Sequence, residues 1–485
     1  SLRRGGSRGW RCFARGGTPR ASSGALRAMG GAMSGATDPL PQFEEAAKRE
    51  AVRALEHRQK VLDHVGAGAF TAAEHGQMEP DDWKHTERRD DITPAELQLA
   101  KRCHGAHIET LSQDVTQVGS HYQLIHYDIP YLDAATHMIR LHGLVEREVE
   151  LSAADLRSRA PLSQPVLMAC AGTGRMALKK RLWAHVPWGP DSFGCAIWTG
   201  CSLADVLREA GIKDGAKQVV FTGADKGVEG NKVQYFQRSL SIEDALLGHV
   251  LLCYEMNGQA LVPAHGAPVR LIVPGWYGMA SVKWLTSIEV TAGGWWGHQM
   301  EAYSYRRAAE DPHMVPLEQL PVRALMVPPG CPDFFSRSRA VAPGRHRIEG
   351  RAWAGSVDLA KVEFSSDGGQ SWTNAELDAK NGPFGWAKWH IDWDVEKAGT
   401  YILLCRATDA GGREQDEASD EQFNWTSMGC TQPQQVYVRV DRAAAAPGGV
   451  MEFTPEQKAA KVSVNGHVGL SPAQVEALYR APGSQ

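Results

Sequence analysis

The apolar and polar positions divide the chain into a region that mixes helices with strands and a later region that is all β. Apolar residues recur at helical spacing over 43–64, which predicts one helix. Short apolar runs at 138–144 and 218–223 have strand length and composition, and a turn is predicted at 224–227. Further helices are predicted from their capping residues, opening at Thr93, Ser202 and Ser241. We therefore expect the first region to be of the α+β class.

From residue 321 onward, apolar and polar residues alternate in short segments at regular spacing. Six strands are predicted, at 347–353, 360–364, 372–377, 389–393, 401–407 and 435–440. Asp367, Gly368 and Gly369 are a hairpin-turn signal between two of them. Such a series of strands is typical of an immunoglobulin-like β-sandwich. The predicted organisation is an α+β domain over 93–320, a sandwich over 321–441, and a linker and tail over 442–485.

The N-terminal residues 1–40 have a different composition from the rest of the chain. They are rich in arginine, glycine, serine and alanine, and Asp38 is the first acidic residue. This composition is typical of an organelle transit peptide. It predicts a mitochondrial protein, with a plastid or the cytoplasm as alternatives, unless the stretch is a translated leader before a start at Met29 or Met33. Residues 41–92 are predicted to be a helical extension.

Composition and cysteine spacing exclude several classes of function. The chain is 43% apolar and 22% charged, which is typical of a globular protein, and its net charge of −4 gives no reason to expect a nucleic-acid partner. No apolar run is long enough to span a membrane. The nine cysteines contain no Cys-x-x-Cys pair, which argues against zinc, iron–sulfur clusters and covalently attached haem.

The stretch 166–175 carries the most specific chemical signal. A short apolar run at 166–168 breaks into small residues at 169–174, where the backbone can turn tightly and approach a ligand closely. Cys170 lies at this break and Arg175 at its far edge. A thiol beside a cation loses its proton more easily and is a soft metal ligand. Taken alone, the same residues could be a structural cysteine before an ordinary glycine turn.

Several motifs, taken in order, resemble those of the sulfite oxidase family. Cys170 begins Cys-Ala-Gly-Thr, which is similar to the family's Cys-Ala-Gly-Asn signature. The chain then reads Tyr-Glu-Met-Asn-Gly from Tyr254 and His-Gly-Ala-Pro-Val-Arg from His265. At 273–285 it reads Val-Pro-Gly and then Ser-Val-Lys-Trp-Leu, again close to the family's wording. The resemblance covers about 93–440 and implies a molybdopterin-binding domain followed by a dimerisation domain.

The resemblance implies a molybdenum–molybdopterin cofactor and no haem, with Cys170 as the sole protein ligand to the metal. The implied cofactor-binding residues are Tyr122, His126, Cys170, Asp225, His265, Arg270, Ser281, Val282 and Lys283. Cations and donors of this kind suit a cofactor that carries a phosphate. The implied catalytic residues are Cys170, Arg175 and Tyr303, where Tyr303 ends a Gln-x-x-x-Tyr motif. A neutral phenol can donate to an oxyanion without adding charge, although Tyr303 could also be a core aromatic.

The chain departs from the family at three positions near the expected substrate pocket. His126 and Pro130 match an Arg-Asn-His segment and its later proline, but Leu124 and Ile125 replace the arginine and asparagine. In this respect the segment resembles bacterial members of the wider family. Thr173 replaces the asparagine of the cysteine signature. Because an anionic substrate loses a fixed cation here, we expect a poor sulfite oxidase.

The implied activity is oxygen-atom transfer on sulfite or a related small anionic sulfur compound. The sequence shows no haem-domain signature and no flavin domain, so we expect electrons to pass to a separate acceptor, a cytochrome or oxygen. The sandwich is expected to pair two copies into a homodimer. Two alternatives stay open: another oxyanion or sulfoxide reductase or a sulfane dehydrogenase on the same fold, and a cofactor-free interaction protein.

Overall fold

The computed structural model describes residues 48–57, 59–60, 102–178, 185–229, 231–308, 310–334, 337–415 and 424–445, and the backbone of a strand pair at Val462–Val464 and His467–Leu470. The predicted leader over 1–40 and the predicted helix at Thr93 lie outside the described residues. None of the helices in the described ranges is long and apolar enough to cross a membrane.

Strands are the commonest regular secondary structure in the described chain. In order they are β1 Cys103–His104, β2 Gln123–Leu124, β3 Met138–Gly143, β4 Val149–Ser152, β5 Leu162–Ala169, β6 Phe193–Ser202, β7 Gln218–Glu229, β8 Lys232–Ser241, β9 Leu251–Met256, β10 Gln259–Ala260, β11 Arg270–Ile272, β12 Leu285–Thr291, β13 Ser304–Tyr305, β14 Val315–Pro316, β15 Arg323–Met326, β16 Cys331–Pro332, β17 Arg339–Val341, β18 Gly344–Trp353, β19 Leu359–Ser365, β20 Thr373–Asn374, β21 Glu376–Lys380, β22 Ala387–Val395, β23 Gly399–Asp409, β24 Gln434–Val440, β25 Val462–Val464 and β26 His467–Leu470.

Helices in the described ranges are short. The α-helices are α1 over 48–57, α2 Ala153–Arg157, α3 Leu203–Ala210, α4 Ile242–Ala245 and α5 His298–Ala302. Single 3₁₀ turns occur at Ile108–Ser112, Val118–Ser120, Arg175–Ala177, Pro263–His265, Gly278–Ala280 and Arg442–Ala445.

Two five-stranded sheets form the framework of the α+β domain. One has the order β10-β9-β6-β5, with β11 also paired to β9, and the other has the order β4-β3-β12-β7-β8. In the second sheet β12 runs parallel to β3 and antiparallel to β7. A single buried core contains side chains from both sheets, including Leu141, Phe193, Phe221 and Leu252. Cys170 follows directly after β5, so this core positions the cysteine loop.

The structure confirms the predicted boundaries of helix α3, because both ends are capped as the sequence indicates. The Ser202 hydroxyl accepts a hydrogen bond from the Asp205 amide at 3.3 Å, and Gly211 adopts a positive φ of 75° just after the last turn. Its buried face includes Leu203, Val206 and Leu207, the apolar stripe of the sequence pattern.

The predicted turn at 224–227 is wrong. Strand β7 continues to Glu229, and its pairing with β8 shifts between Thr222 and Lys226. A β-bulge accommodates extra residues of turn-like composition within a strand, and the strand continues after the bulge. The bulge contains Asp225, whose side chain it turns toward the cavity described below.

The C-terminal domain is a sandwich of a four-stranded sheet, β15-β18-β22-β21, and a six-stranded sheet, β16-β17-β24-β23-β19-β20. Ile348 and Trp389 from one sheet share a buried core with Val362 and Leu403 from the other. The predicted strands are confirmed except for 372–377. That segment divides into β20 and β21, which pair with β19 and β22 respectively and so belong to different sheets.

Helix α1 packs on the rest of the molecule through a buried carboxylate. Glu50 is fully buried, and its Oε1 accepts hydrogen bonds from Trp276 Nε1 at 2.9 Å and Gln319 Nε2 at 2.5 Å. Arg53, one turn on, pairs with Asp244. The helical prediction for 43–64 is confirmed over 48–57 and 59–60; the remainder lies outside the described residues.

Candidate functional site

An inner cavity opens where β2, the loop after β5 and the loops around β11 meet. Polar and charged side chains converge on it, which is typical of a small-molecule or cofactor site. The predicted residues that line it are Tyr122, His126, Cys170, Asp225, His265, Arg270, Ser281, Lys283 and Tyr303. The structure therefore brings together residues that the sequence separates by as many as 181 positions (303 − 122).

Cys170 lies in the wall of this cavity and is 5% exposed. Its Sγ accepts a hydrogen bond from the Gly172 amide at 3.4 Å. Burial raises the pKa of the thiol, and the nearby Arg175 guanidinium partly opposes this rise. Gly172 is required here because an added Cβ would overlap the Arg175 guanidinium. The loop thus holds one thiol and one cation close together.

Tyr303 and His126 form a short hydrogen bond, with the Tyr303 hydroxyl 2.6 Å from His126 Nε2. Burial, followed by the charge of Lys283, lowers the pKa of His126 to about 3, so its ring is neutral at neutral pH. Burial also raises the pKa of Tyr303 above its ordinary value. The phenol therefore keeps its proton, and in the tautomer that carries the His126 proton on Nδ1 it donates a hydrogen bond to Nε2.

Arg270 and Lys283 give the inner cavity a cationic wall. Arg270 donates to the carbonyls of His265 and Ser281 at 2.9 Å each, and Lys283 donates to the carbonyls of Leu124 at 3.0 Å and Ala264 at 3.2 Å. Among the described residues, neither cation forms an ion pair with a carboxylate. The pKa values of both are lowered, to about 10 for Arg270 by burial and to about 7 for Lys283 by burial and by Arg270.

The same wall contains buried polar atoms that lack a hydrogen-bond partner among the described residues. They are Arg270 Nε, His121 Nε2 and Asp225 Oδ1. Burial lowers the pKa of His265 to about 4 and raises that of Asp225 to about 6. Unpaired buried donors and mutually repelling cations are costly unless a ligand satisfies them. The wall thus fits a large anionic ligand that also offers a hydrogen-bond donor to Asp225, as a phosphate-bearing pterin does.

A second, outer cavity adjoins the first. Leu124, His126 and Tyr303 line both cavities, so the Tyr303–His126 pair lies at their junction. Leu124 is half-buried and presents an apolar side chain where the family's arginine would be. The outer cavity is further lined by Tyr127, Glu229 and Gln299.

Three sequence-based assignments differ from the geometry. Val282 is fully buried, and its backbone carbonyl accepts from the Leu271 amide at 2.8 Å rather than facing the cavity. Arg175 adjoins Cys170 but is not among the described residues that line either cavity. Thr173 bonds to Ser192 Oγ at 2.5 Å and lines neither cavity, so its replacement of the family's asparagine does not alter the described walls.

Comparisons with known proteins match both domains of the chain. The model of the oxidoreductase molybdopterin binding domain matches residues 126–298, and that of the Mo-co oxidoreductase dimerisation domain matches 315–442. The sulfite oxidase of Arabidopsis thaliana is 30% identical over 345 residues, which are 65% of this chain and 85% of that protein. This chain belongs to the sulfite oxidase family of molybdopterin oxidoreductases.

Other similar proteins match different shares of the chain. The sulfite oxidase of Gallus gallus is 31% identical over 60% of this chain and 66% of its own length. The NADH nitrate reductase of Ulva prolifera is 28% identical over 65% of this chain, which spans only 39% of that relative. Among solved structures, the sulfane dehydrogenase SoxCD from Paracoccus pantotrophus aligns with a TM-score of 0.58 and 21% identity, covering 77% of this chain and 95% of that one. This likeness shows a shared fold.

Sequence reasoning missed two groups of residues at the site of this family member. His121 is not among the predicted site residues, yet it lines the inner cavity, and its Nε2 lacks a hydrogen-bond partner among the described residues. Tyr127, Glu229 and Gln299 form a hydrogen-bonded group in the outer cavity. Gln299 belongs to the Gln-x-x-x-Tyr motif, which could have drawn attention to it, but Glu229 lies in a hairpin with no motif of its own.

Proposed function

We propose that this chain binds molybdenum–molybdopterin in the inner cavity and catalyses oxygen-atom transfer on a small sulfur compound. The single observation that carries the proposal is the position of the Cys170 thiol in the same wall as the unpaired cations Arg270 and Lys283. A soft thiolate suits the metal, and the cations suit the phosphate of the pterin. When bound, the cofactor supplies a two-electron redox centre that carries the oxygen-atom transfer.

The residues of the inner cavity hold this cofactor in the proposal. Arg270, Lys283 and His265 offer donors to its phosphate, and an anion there would raise the pKa values that burial now lowers. Asp225 offers its unpaired Oδ1 to a donor of the pterin. Tyr122 and Ser281 complete the wall, while Val282 supports it from the core.

Cys170 is proposed as the metal's protein ligand. Metal ligation requires the thiolate, which burial disfavours in the cofactor-free chain. The Arg175 guanidinium favours the thiolate, and the Gly172 amide donates to the sulfur. Arg175 therefore acts on the substrate site through the electrostatics of Cys170.

Tyr303 is proposed to orient the substrate oxygen at the junction of the two cavities. Its proton is directed to His126 in the absence of substrate, and the neutral imidazole cannot compete with an oxyanion by charge. A substrate oxygen could replace His126 as the acceptor of this hydrogen bond. The Tyr303 hydroxyl would then stabilise that oxygen without placing a fixed charge in the site.

The site is a poor match to sulfite as a substrate. Leu124 offers no donor where a guanidinium would form charge-assisted hydrogen bonds with a dianion. A sulfoxide reductase is a second candidate, because the apolar Leu124 suits the carbon substituents of an uncharged sulfur compound.

The remaining assignments are also proposals. The dimerisation-domain match supports a homodimer formed through residues 321–441. Electrons are proposed to pass to a separate acceptor, a cytochrome or oxygen. Mitochondrial localisation is proposed from the arginine-rich composition of residues 1–40.

Metal analysis together with a substrate panel tests the function. Purified protein is expected to contain molybdenum and to turn over at least one compound among sulfite, thiosulfate and dimethyl sulfoxide, with a dye as electron acceptor or donor. Cys170→Ser should abolish turnover, whereas Cys331→Ser, at an exposed cysteine, should not. Molybdenum-free protein that cannot be loaded would instead favour a cofactor-free interaction protein.

A further inference from the structure

The outer cavity contains a carboxylate that accepts hydrogen bonds from two side chains and lies close to a third. Glu229 Oε2 accepts hydrogen bonds from the Tyr127 hydroxyl at 2.9 Å and from Gln299 Nε2 at 3.2 Å. Glu229 Oε1 lies 3.2 Å from His298 Nε2. The same Gln299 amide also donates to the Tyr127 hydroxyl at 3.2 Å, so the group is closed on itself. Glu229, whose side chain is 44% exposed, is therefore held by two hydrogen bonds where the outer cavity meets solvent.

The position of the Tyr127 ring depends on its close contact with the backbone of Gly227. A Cβ at Gly227 would lie 2.4 Å from Tyr127 Cδ1, so the ring lies directly against the glycine of β7. This contact brings the phenol beneath Glu229, two residues further along the same strand. The geometry that directs the carboxylate is thus built into the β7–β8 hairpin.

Glu229 is ionised at neutral pH. Burial raises its pKa, but the neighbouring donors of His298 and Tyr127 outweigh burial, and the pKa lies below the ordinary value. The negative charge of Glu229 also acts on the two residues at the junction of the cavities. It favours the protonated forms of His126 and Tyr303 and so contributes an upward shift to both pKa values.

The outer cavity is lined by equal numbers of positively and negatively charged side chains, so Glu229 offsets part of the attraction that the cations would exert on an anion. Among the described residues its lining contains two cations, Arg102 and Lys226, and two carboxylates, Asp128 and Glu229. Arg102 donates to the backbone carbonyl of His126 at 2.5 Å, and the Lys226 ammonium lies 5.8 Å from the ring of Tyr235. His185 also lines the cavity and is neutral because burial lowers its pKa far below the ordinary value. Of the two carboxylates, Glu229 is the one that accepts a hydrogen bond from Gln299 among the described residues.

We propose that Glu229 is a specificity-determining residue that disfavours dianions in the outer cavity, so that the substrate presents an uncharged sulfur group. The inference rests on the proposed oxygen-atom transfer at the adjoining site. It goes beyond the loss of the arginine at Leu124, because a loss only removes attraction whereas Glu229 adds repulsion.

The test compares anion binding in the molybdenum-loaded protein and in its Glu229→Gln variant. Glutamine keeps the size of the side chain and an acceptor oxygen for Tyr127. Calorimetric titration uses sulfate as the dianion and dimethyl sulfone as an uncharged molecule of similar shape. Glu148→Gln is the control, since Glu148 pairs with Arg140 on an exposed strand edge, away from the described cavity walls.

Removing one charge several ångströms from a dianion in a solvated cavity is expected to tighten sulfate binding about three- to tenfold. Dimethyl sulfone binding should change less than about twofold, and the gain for sulfate should shrink in potassium chloride because salt screens the repulsion. Steady-state kinetics with sulfite should show a matching fall in KM where turnover is measurable.

Equal sulfate affinity in the native protein and Glu229→Gln, including no detectable binding to either, overturns the proposal. So does a gain that dimethyl sulfone shares, which would indicate a change of cavity shape. Failure of the proposed function is a separate result: loaded protein would turn over none of the sulfur compounds, whatever its affinity for sulfate.

Discussion

The hydroxyl of Tyr303 lies 2.6 Å from Nε2 of His126, and these two residues line both the inner and the outer cavity. The pair therefore lies between the proposed cofactor site and the proposed substrate site. Because the imidazole is neutral and the phenol protonated, the junction carries a directed hydrogen bond and no charge.

Tyr303→Phe is expected to lower kcat by about a hundredfold, the cost typical of removing one preorganised donor to an oxyanion. Molybdenum content should be unchanged, since the phenol is not proposed to hold the cofactor. Steady-state kinetics and metal analysis on the same preparation check both statements. Tyr235→Phe, at a tyrosine that is 46% exposed, is the control. If Tyr303→Phe kept the kcat of the native protein, Tyr303 would have no role in the catalytic step.

Leu124→Arg is expected to improve sulfite affinity about ten- to a hundredfold, because a charge-assisted hydrogen bond contributes about 1.5–3 kcal/mol. The Leu124 side chain borders both cavities, so an arginine there can reach the substrate position. Sulfite KM measured for Leu124→Arg and for Leu124→Met separates charge from size. Tight sulfite binding by the native protein, or no gain in the arginine variant with retained cofactor, would show that Leu124 does not set the substrate.

Lys283 makes the stability of the cofactor-free protein depend on pH. Burial and Arg270 lower its pKa from 10.5 to about 7, so between these values the unfolded chain binds a proton that the folded chain has lost. The free energy of unfolding should therefore rise as pH increases through this window. Chemical denaturation at pH 7 and 9 should show a smaller rise for Lys283→Met than for the native protein.

The control for that measurement is Lys226→Met, at an exposed lysine of the outer cavity. Loading with an anionic cofactor should also reduce the pH dependence, since an anion stabilises the charged form of Lys283. An identical rise in Lys283→Met and the native protein would contradict the assignment.

Glu50 is expected to contribute a pH dependence of the opposite sign. Burial and Asp244 raise its pKa from 4.5 to about 7, so the folded chain retains a proton that the unfolded chain releases, and stability falls as pH rises through this window. Glu50→Gln keeps an acceptor for Trp276 and Gln319 and should be more stable than the native protein at pH 8. Thermal unfolding at pH 5 and 8 measures this, with the exposed Glu56→Gln on the same helix as the control. Equal destabilisation at both pH values would indicate lost packing instead of lost charge.

Local signals predicted much of the fold, whereas the motifs that resemble those of the sulfite oxidase family predicted most of the residues that line the inner cavity. Helix α3 has its cap and its terminal glycine, and the motifs at Cys170, His265 and Arg270 lie on short strands and loops that meet at one wall. The bulge after Thr222 was missed because its residues have turn composition, while the pairing that extends β7 to Glu229 is formed with a later strand.

Features that depend on non-local contacts could not be predicted. The segment 372–377 alternates like one strand, but its two halves find partners in different sheets. His121 and Glu229 are common residue types without a motif, and only the folded chain shows which cavity each one lines. Val282 has a motif position but points into the core, because the alternation along the chain places Ser281 and Lys283 at the cavity.

The central claim is that Cys170 is the protein's thiolate ligand to molybdenum in the inner cavity. X-ray absorption at the molybdenum edge counts the sulfur neighbours of the metal in loaded native protein, in Cys170→Ser and in the control Cys331→Ser. The account predicts one fewer sulfur neighbour in Cys170→Ser and no change in Cys331→Ser, because a hydroxyl is a poor replacement for a soft thiolate. The same number of sulfur neighbours in Cys170→Ser as in the native protein would contradict it.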